Sequence, residues 1–266
     1  MDGSPFYGTY NTMRTKDFNK DFYMLLDLLK NSTPFAFQRF SDGELRILQN
    51  KTLILSSNHI QIGNQHLGGG YASHDHKEFI PEKHSFFRDR LMESFLFTKP
   101  NYYVGISCRC CVGNDDFKWQ IDKLGGDHDH LTWSNLLING NYLKFLGEVI
   151  PELKKKKIVF ICNESATLDG VPFQIDKDFR VGYNCIINDY GLIETVKSWI
   201  EDNDINDHVF LFSASSLSNF MIHQLYDFRD TNTYIDIGTT LNPHMGLGSK
   251  RGYLSGAKTR GQICVW

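Results

Sequence analysis

The sequence predicts an α/β fold in which a Rossmann-like, mostly parallel sheet carries helices on both faces. Residues 35–40 form an apolar run of strand length that stops abruptly at Ser41 and Asp42. The second half of the chain alternates strand-like apolar runs with amphipathic helix patterns, which is typical of parallel βαβ units. No internal repeat or low-complexity segment interrupts this order. We therefore expect one domain over residues 1–266.

In the first half of the chain, hydrophobic periodicity and turn residues define the elements. Residues 1–15 have no clear pattern and are expected to form an N-terminal arm. Apolar residues at helical spacing predict the first helix, and an apolar run bounded by Asn31-Ser32-Thr33-Pro34 predicts the first strand. The predicted elements are helix 16–30, strand 35–40, a short helix to about residue 49, strand 53–55, a flexible glycine-rich loop at 63–71, helix 86–97, strand 102–106 and a helix that starts within 131–135.

The second half carries the βαβ pattern and ends in a glycine-rich, basic C-terminal tail at 241–266. Its predicted elements are helix 142–153, strands 158–162 and 179–181, helix 192–202, strand 209–213, helix 219–226 and strand 233–238. Connections in such a sheet are right-handed, so the carboxyl ends of its strands line up along one edge, where ligands bind. That edge is expected to gather Asp42, Glu44, Asn163, Glu164, Ser213, Ser215 and Asp236.

Composition excludes several function classes. The 266 residues are 41% hydrophobic and 22% charged, with a formal net charge of -3, which argues against a broad nucleic-acid interface. No apolar run approaches the roughly 18 residues of a membrane span, and the N-terminus lacks the regions of a signal peptide. The fingerprint motifs of dinucleotide enzymes and P-loop NTPases are absent from the sequence. We expect a cytoplasmic protein with no nucleic-acid partner and no membrane span.

The six cysteines do not form a disulfide framework. Three of them are crowded into Cys108-Arg109-Cys110-Cys111, and no second cysteine pair offers zinc-finger spacing. No histidine partner for nucleophilic catalysis is evident beside them. We interpret the cysteines as reduced, mostly buried structural thiols.

The first strand ends at two carboxylates, Asp42 and Glu44, with only Gly43 between them. Gly43 allows a tight turn from strand to helix, and two close carboxylates repel each other unless a cation neutralises them. A divalent ion with oxygen ligands, Mn²⁺ or Mg²⁺, meets that need, with a diphosphate as its remaining partner. The structural alternative is a helix start, because Asp at the N-cap and Glu in the first turn both stabilise one.

Four segments together resemble one family. They are Arg39-Phe40-Ser41-Asp42-Gly43-Glu44, the stretch 133–142, the stretch 209–219 and Tyr234-Ile235-Asp236-Ile237-Gly238-Thr239. In this order they resemble the GT-D type glycosyltransferases, a group first labelled as a bacterial domain of unknown function. That family has the motif Arg-(Phe/Tyr)-Gly-Asp-Gly-Glu and a strand that ends in Asp-(Ile/Val)-Gly. The resemblance spans roughly residues 35–250 and implies a GT-D-like fold.

The resemblance implies a metal-dependent glycosyltransferase. It would move a hexosyl or pentosyl group from a nucleotide-diphosphate sugar, with a UDP-sugar expected, to a glycan or glycoprotein acceptor. The family's Asp-x-Glu maps onto Asp42 and Glu44, which are therefore expected to bind Mn²⁺ or Mg²⁺ and to act in catalysis. Asp236 is the third expected catalytic residue and could bind acceptor hydroxyls, bind the donor or act as a base. The expected donor-binding residues are Arg39, Ser41, Ser213, Ser215, Ser216, His244, Lys250 and Arg251.

Most of the donor-binding assignments have a structural alternative. Arg39 adds charge for a phosphate or forms an ion pair with Asp42 or Glu44. Ser215 and Ser216 precede a helix N-terminus, which either binds phosphate or is simply capped. The basic residues of the tail either close over a bound diphosphate or stay solvated.

Two other functions remain open from the sequence. A metal-dependent phosphoesterase would use His74-Asp75-His76 and Asp127-His128-Asp129-His130 together with the acidic turn to hold two ions. That hypothesis predicts that His76 and Asp129 approach Asp42. The second alternative is a non-enzymatic nucleotide- or glycan-binding protein. It predicts that Asp42→Ala and Glu44→Ala change stability only by the amount of a lost helix cap and abolish no turnover, because the wild type would have none.

Overall fold

A seven-stranded parallel sheet forms the centre of the protein. The structure is a computed structural model that describes residues 17–248 and 251–254. The strands in spatial order are β7 (Leu131–Trp133), β6 (Tyr102–Ile106), β1 (Ala36–Phe40), β11 (Thr233–Asp236), β10 (His208–Ser213), β8 (Lys157–Asn163) and β9 (Lys177–Val181). Each neighbouring pair runs parallel. The predicted parallel α/β sheet is confirmed.

The central strands are apolar along their whole length because both of their faces are covered. All residues of β1 are buried, and so are all but the first of β8. Successive side chains alternate between the two faces. Phe40 and Ile161 pack in the core on one side of the sheet, whereas Phe37 and Phe160 pack in the core on the other side.

Helices cover both faces, as the fold class predicts. The helices of the described residues are α1 (Phe18–Lys30), α2 (Asp42–Leu48), α3 (Pro81–Leu96), α4 (Arg109–Val112), α5 (Asn114–Lys123), α6 (Tyr142–Lys144), α7 (Ile150–Leu153), α8 (Cys185–Asn188), α9 (Leu192–Asp202) and α10 (Leu217–Phe228). Helices α2, α3, α5, α9 and α10 contribute to one core, and α1, α6 and α7 contribute to the other. A π-helical turn, Phe145–Val149, joins α6 to α7.

A second, antiparallel sheet of four strands lies between α2 and α3 in the sequence. Its strands in spatial order are β4 (Gln65–Leu67), β3 (Ile60–Ile62), β2 (Leu53–Leu55) and β5 (Lys77–Phe79). The prediction of a flexible loop at 63–71 is therefore wrong for its first part. Ile62 pairs with Gln65, so Gly63 and Asn64 form a two-residue hairpin turn, for which the positive φ of Gly63 (58°) is well suited.

Two other predicted segments differ from the structure. The helix expected to start within 131–135 is wrong, because Leu131–Trp133 is the edge strand β7, paired with β6. In the segment expected as a C-terminal tail, Leu241, Met245 and Leu247 are buried in a core. Among the residues the structure describes, no helix is long and apolar enough to cross a membrane.

Candidate active site

A cleft of about 490 Å³ opens at the carboxyl edge of the parallel sheet. The residues that line it include Asp42 after β1, Ser107 after β6, Ser134 after β7, Asn163 at the end of β8, Gly182 after β9, Ser215 after β10 and Asp236 at the end of β11. Of the residues expected at this edge, only Glu164 is not among the described residues that line the cleft. The parallel sheet therefore brings the predicted groups together, as its topology requires.

Asp42 and Glu44 lie in the turn from β1 to α2 but in different environments. Ser41 is the N-cap of α2, and its backbone N–H donates to Oε2 of Glu44 at 3.1 Å, which is one half of a capping box. Glu44 is buried, whereas Asp42 is exposed and faces the cleft. Within the described part of the chain, the Asp42 carboxylate has no hydrogen bond or ion pair. Asp42 is thus the carboxylate available to a ligand.

A buried cation, Lys77 of strand β5, neutralises Glu44. Its Nζ lies 2.7 Å from Oε1 of Glu44 and 2.7 Å from Oγ of Ser216, and the Ser216 hydroxyl donates to the same Oε1. Burial alone would raise the pKa of Glu44, but the Lys77 ammonium and the hydrogen bonds from Lys77 and Ser216 lower it to about 2. Glu44 therefore stays ionised at neutral pH.

A second buried pair, Arg39 and Asp236, lies on the adjacent strands β1 and β11. Nη1 of Arg39 is 3.7 Å from Oδ1 of Asp236, and Nε of Arg39 donates to the carbonyl of Ser134. The N–H of Gly238 donates to Oδ1 of Asp236 at 2.8 Å. Burial raises the pKa of Asp236 to about 6, although Arg39 and the Gly238 N–H act in the opposite direction. Asp236 therefore titrates close to neutrality.

Gly238 is required by the position of Arg39. Its φ is +53°, and a Cβ at this position would lie 2.0 Å from Nη1 of Arg39. The Asp-Ile-Gly sequence that begins at the last residue of β11 thus places a carboxylate in the cleft and leaves space for the guanidinium beside it.

The serine turn between β10 and α10 contributes side chains of two kinds. Ser213 and Ser215 line the cleft, whereas Ser216 is fully buried and bound to Glu44 and Lys77. Ser215 has a φ of +53°, a left-handed conformation that costs a non-glycine residue about 1–2 kcal/mol. Such local strain is frequent at ligand-binding turns.

The two histidine clusters lie in different places. His74, Asp75 and His76 line the same cleft as Asp42, whereas no residue of the stretch 127–130 is among the described residues that line it. His76 is buried and stacks on Tyr183 with ring centroids 3.6 Å apart. Burial lowers the pKa of His76, although the Glu78 carboxylate acts in the opposite direction, and so favours the neutral imidazole. The convergence of Asp129 on Asp42 that a two-metal phosphoesterase requires is not found.

The tail residues predicted to bind the donor divide into three cases. Arg251 lines the cleft. His244 lies within the short 3₁₀ helix Asn242–Met245 and is half-buried, but it is not among the described residues that line the cleft. Lys250 lies outside the described residues.

The other residues predicted to bind the donor lie at the cleft. Arg39, Ser41, Ser213 and Ser215 all line the cleft, and Ser216 lies directly beneath it through its contact with Glu44.

No protein-family model matches the chain, and no curated protein matches it. Two solved structures do. One is described as "Selenomethionine substituted structure of domain of unknown function 1792 (DUF1792)" and aligns with a TM-score of 0.52. The other is described as "The highly conserved domain of unknown function 1792 has a distinct glycosyltransferase fold" and aligns with a TM-score of 0.50. Both are 11% identical, and each alignment covers 91% of this chain and 83% of the other.

The chain has this glycosyltransferase fold. At 11% identity the likeness concerns the fold alone, and the function has to be argued from the site. The resemblance that the sequence motifs predict is confirmed at this level.

Within the glycosyltransferase fold, sequence reasoning missed Lys77. A lysine in the alternating stretch 77–79 normally points to solvent, and its partner Glu44 lies 33 positions away in the chain. Ser134 and Asn135 were also missed, because β7 was predicted as helix; both line the cleft, and a correct strand prediction for Leu131–Trp133 would have placed them at this edge. Ser107 lines the cleft as well and was missed although the strand before it, 102–106, was predicted.

In this glycosyltransferase fold, Asp42 is better placed than Glu44 to bind a divalent ion. Asp42 has an uncommitted carboxylate in the cleft, which fits the way Mg²⁺ binds through one or two carboxylates and substrate phosphates. Glu44 already accepts hydrogen bonds from Lys77 and Ser216 on Oε1 and from Ser41 on Oε2. Of its four lone pairs, one on Oε2 remains for a metal ion.

Proposed function

We propose that the chain is a metal-dependent glycosyltransferase that transfers a sugar from a nucleotide-diphosphate donor, with a UDP-sugar as the first candidate. The observation that carries the proposal is the uncommitted Asp42 carboxylate in a cleft at the carboxyl edge of a glycosyltransferase fold. The acceptor would be a glycan or a glycoprotein.

The charge of the cleft supports a requirement for a metal ion. The residues that line the cleft include four cations, Arg39, Arg46, Lys77 and Arg251, and four carboxylates, Asp42, Glu44, Asp75 and Asp236. When all four carboxylates are ionised, these groups have no net charge, so they supply no excess positive charge for an anionic diphosphate. A divalent ion on Asp42 would supply it. When bound there, Mn²⁺ or Mg²⁺ supplies the positive charge that stabilises the diphosphate leaving group.

The residues of the chain take distinct parts in this proposal. Asp42 is the main metal ligand, and Glu44 can add a ligand atom only through Oε2. Glu44 mainly holds the Lys77 ammonium and the start of α2 in place. Arg39 provides positive charge toward the donor phosphates, and Ser213 and Ser215 offer hydroxyl groups to the donor from the serine turn.

Asp236 is suited to the acceptor. A carboxylate with a pKa near 6 is largely ionised at neutral pH and is more basic than an ordinary aspartate, which favours general-base action on a sugar hydroxyl. Arg39, 3.7 Å from Asp236, would stabilise the ionised form before proton transfer and would be released toward the donor phosphate afterwards.

The test is a screen of the purified chain against UDP-, GDP- and TDP-linked sugars, with Mn²⁺, with Mg²⁺ and with a chelator. We expect release of nucleoside diphosphate that requires the metal ion and is lost in Asp42→Asn. Asp115→Asn is the matched control, because Asp115 is an exposed aspartate in the first turn of another helix, α5, and does not line the cleft.

Three other outcomes would count against the proposal. Donor binding without turnover in the presence of acceptor glycans would favour a nucleotide-binding protein. Release of inorganic phosphate from phosphate monoesters would favour a phosphoesterase. Absence of binding to every donor in folded protein would leave the Asp42 turn as a helix start and refute the donor site.

A further inference from the structure

Three cysteine thiols converge at one side of the cleft. Sγ of Cys108 lies 3.0 Å from Sγ of Cys110 and 3.4 Å from Sγ of Cys111, and all three sulfur atoms lie within 4.8 Å of one another. Among the described residues, this is the one group of three histidine, cysteine or acidic side chains close enough to share a metal ion. Three of the five described cysteines are buried, in line with the expectation of mostly buried thiols, but Cys110 and Cys111 are exposed.

The backbone holds the three thiols together. Strand β6 ends at Ile106, and Cys108 follows as the N-cap of α4. The N–H of Cys111 donates to the carbonyl of Cys108 at 3.0 Å, which folds the chain back within one turn. Gly113, with a φ of +82°, ends that turn. This turn brings the Sγ atoms of Cys110 and Cys111 close to the buried Sγ of Cys108.

We propose that Cys108, Cys110 and Cys111 bind one thiophilic metal ion of the Zn²⁺ type. Zinc binds thiolate sulfur at about 2.3 Å with tetrahedral geometry, which places sulfur atoms roughly 3.8 Å apart. The three thiols already lie close to that spacing, so movements of less than about 1 Å would complete the ligand set. A buried first ligand and two exposed ones leave a route for the ion from solvent.

The surroundings of the cluster are consistent with a ligand set. The side-chain amide of Asn135 lies 4.0 Å from Sγ of Cys108 and 3.9 Å from Sγ of Cys111, where its N–H groups would orient and stabilise thiolates. Cys111 and Asn135 also line the cleft. The bound ion would therefore lie in the cleft wall, with its fourth position open to water or to a ligand in the cleft.

This site is chemically separate from the proposed ion on Asp42. Thiolates select soft ions such as zinc, whereas carboxylates and phosphates select Mg²⁺ or Mn²⁺. A redox-active pair of thiols would need only two cysteines, and no disulfide joins any described cysteines. The convergence of a third thiol favours metal binding over disulfide exchange.

The experiment measures binding of Zn²⁺ to the full chain after reduction and removal of metal ions with a chelator. We expect one equivalent of Zn²⁺ bound in the wild type, and a thiolate-to-metal charge-transfer band when Co²⁺ replaces it. Stoichiometric binding should be lost in Cys110→Ser and in Cys111→Ser, both of which change exposed side chains and leave the core unaltered. Cys185→Ser is the matched control, because its thiol is buried elsewhere and donates to the carbonyl of Ala214.

The result does not depend on any glycosyltransferase activity, since the readout is the metal content and the absorption spectrum. Absence of Zn²⁺ binding in folded, reduced protein would overturn the proposal. Binding that survives in Cys110→Ser and Cys111→Ser would overturn it as well. A disulfide between Cys108 and Cys111 that forms in air, together with the absence of Zn²⁺ binding after its reduction, would identify a redox pair instead.

Discussion

Replacing Lys77 by methionine removes the cation that neutralises Glu44, and we expect it to lower the free energy of unfolding by about 3 kcal/mol. The side chains of Lys77 and Glu44 are 8% and 9% exposed and lie 2.7 Å apart, so water screens the pair only weakly. The pKa of Glu44 falls from 4.5 to about 2 in the folded chain. At about 1.4 kcal/mol per pKa unit, that shift also corresponds to about 3 kcal/mol.

The pH dependence provides an independent signature of this pair. Because its folded-state pKa is lowered, Glu44 contributes its stabilisation fully above pH 4.5 and loses it as the pH falls towards 2. In Lys77→Met this acid-dependent loss should disappear, since a buried carboxylate without its cation is no longer favoured in the folded state.

The assay is urea unfolding of the wild type, Lys77→Met and Lys83→Met at several pH values. Lys83 is an exposed lysine in α3 and serves as the control. The double variant Glu44→Gln with Lys77→Met should lose less than the sum of the two single variants, because neither buried charge is then left unpaired. A loss in Lys77→Met within about 0.5 kcal/mol of the Lys83 control would refute the reasoning, since that is the range of surface substitutions.

An alanine in the left-handed conformation costs about 1–2 kcal/mol. Gly238→Ala should lower the free energy of unfolding by more than this, because the new Cβ would lie 2.0 Å from Nη1 of Arg39. Gly246 also has a positive φ, but no atom of the described residues lies within 4 Å of a Cβ built there, so Gly246→Ala should cost only that amount in the same unfolding assay. Ser215→Gly should stabilise the chain by about 0.5–1 kcal/mol. An unchanged or lower urea midpoint would show that the left-handed backbone of Ser215 is not strained. Burial raises the pKa of Asp236 to about 6, so the free energy of unfolding of the wild type should fall by up to about 3 kcal/mol relative to that of Asp236→Asn as the pH rises from about 4 through 6. If the free energy of unfolding of the two proteins changes in parallel with pH, this prediction is contradicted.

The sequence predicts the central sheet well because its strands are buried on both faces. Runs such as 35–40 and 209–213 have no other stable position than the middle of a layered fold. The edge strand β7 gave no such signal: it has only three residues, and Ser134-Asn135 after it is typical of a helix start. The hairpin of β3 and β4 did carry a usable signal, the Gly63-Asn64 pair between alternating apolar residues, which the abundance of glycine after it obscured.

The carboxylates of the site were predictable because the topology fixes where strand ends lie. Asp42 and Asp236 follow apolar strands directly, so a parallel sheet places both at one edge without further information. Their different environments were not predictable. Burial of Glu44, exposure of Asp42 and the near-neutral pKa of Asp236 depend on packing between elements that are distant in the chain. The exposure of Cys110 was not predictable for the same reason, since it lies in the short helix α4, none of whose residues is buried.

The small antiparallel sheet is part of the cleft because it fixes the charge there. Strand β5 carries Lys77 to Glu44, and the N–H of the next residue, Glu78, donates to Oδ1 of Asn184 at 2.9 Å. Strand β5 is therefore bound both to the acidic turn after β1 and to the loop after β9. Any movement of this sheet would separate the ammonium from a carboxylate that must then be protonated or take another cation. Under the proposed function, a cation that Glu44 took in place of Lys77 would couple the ion on Asp42 to the position of the small sheet.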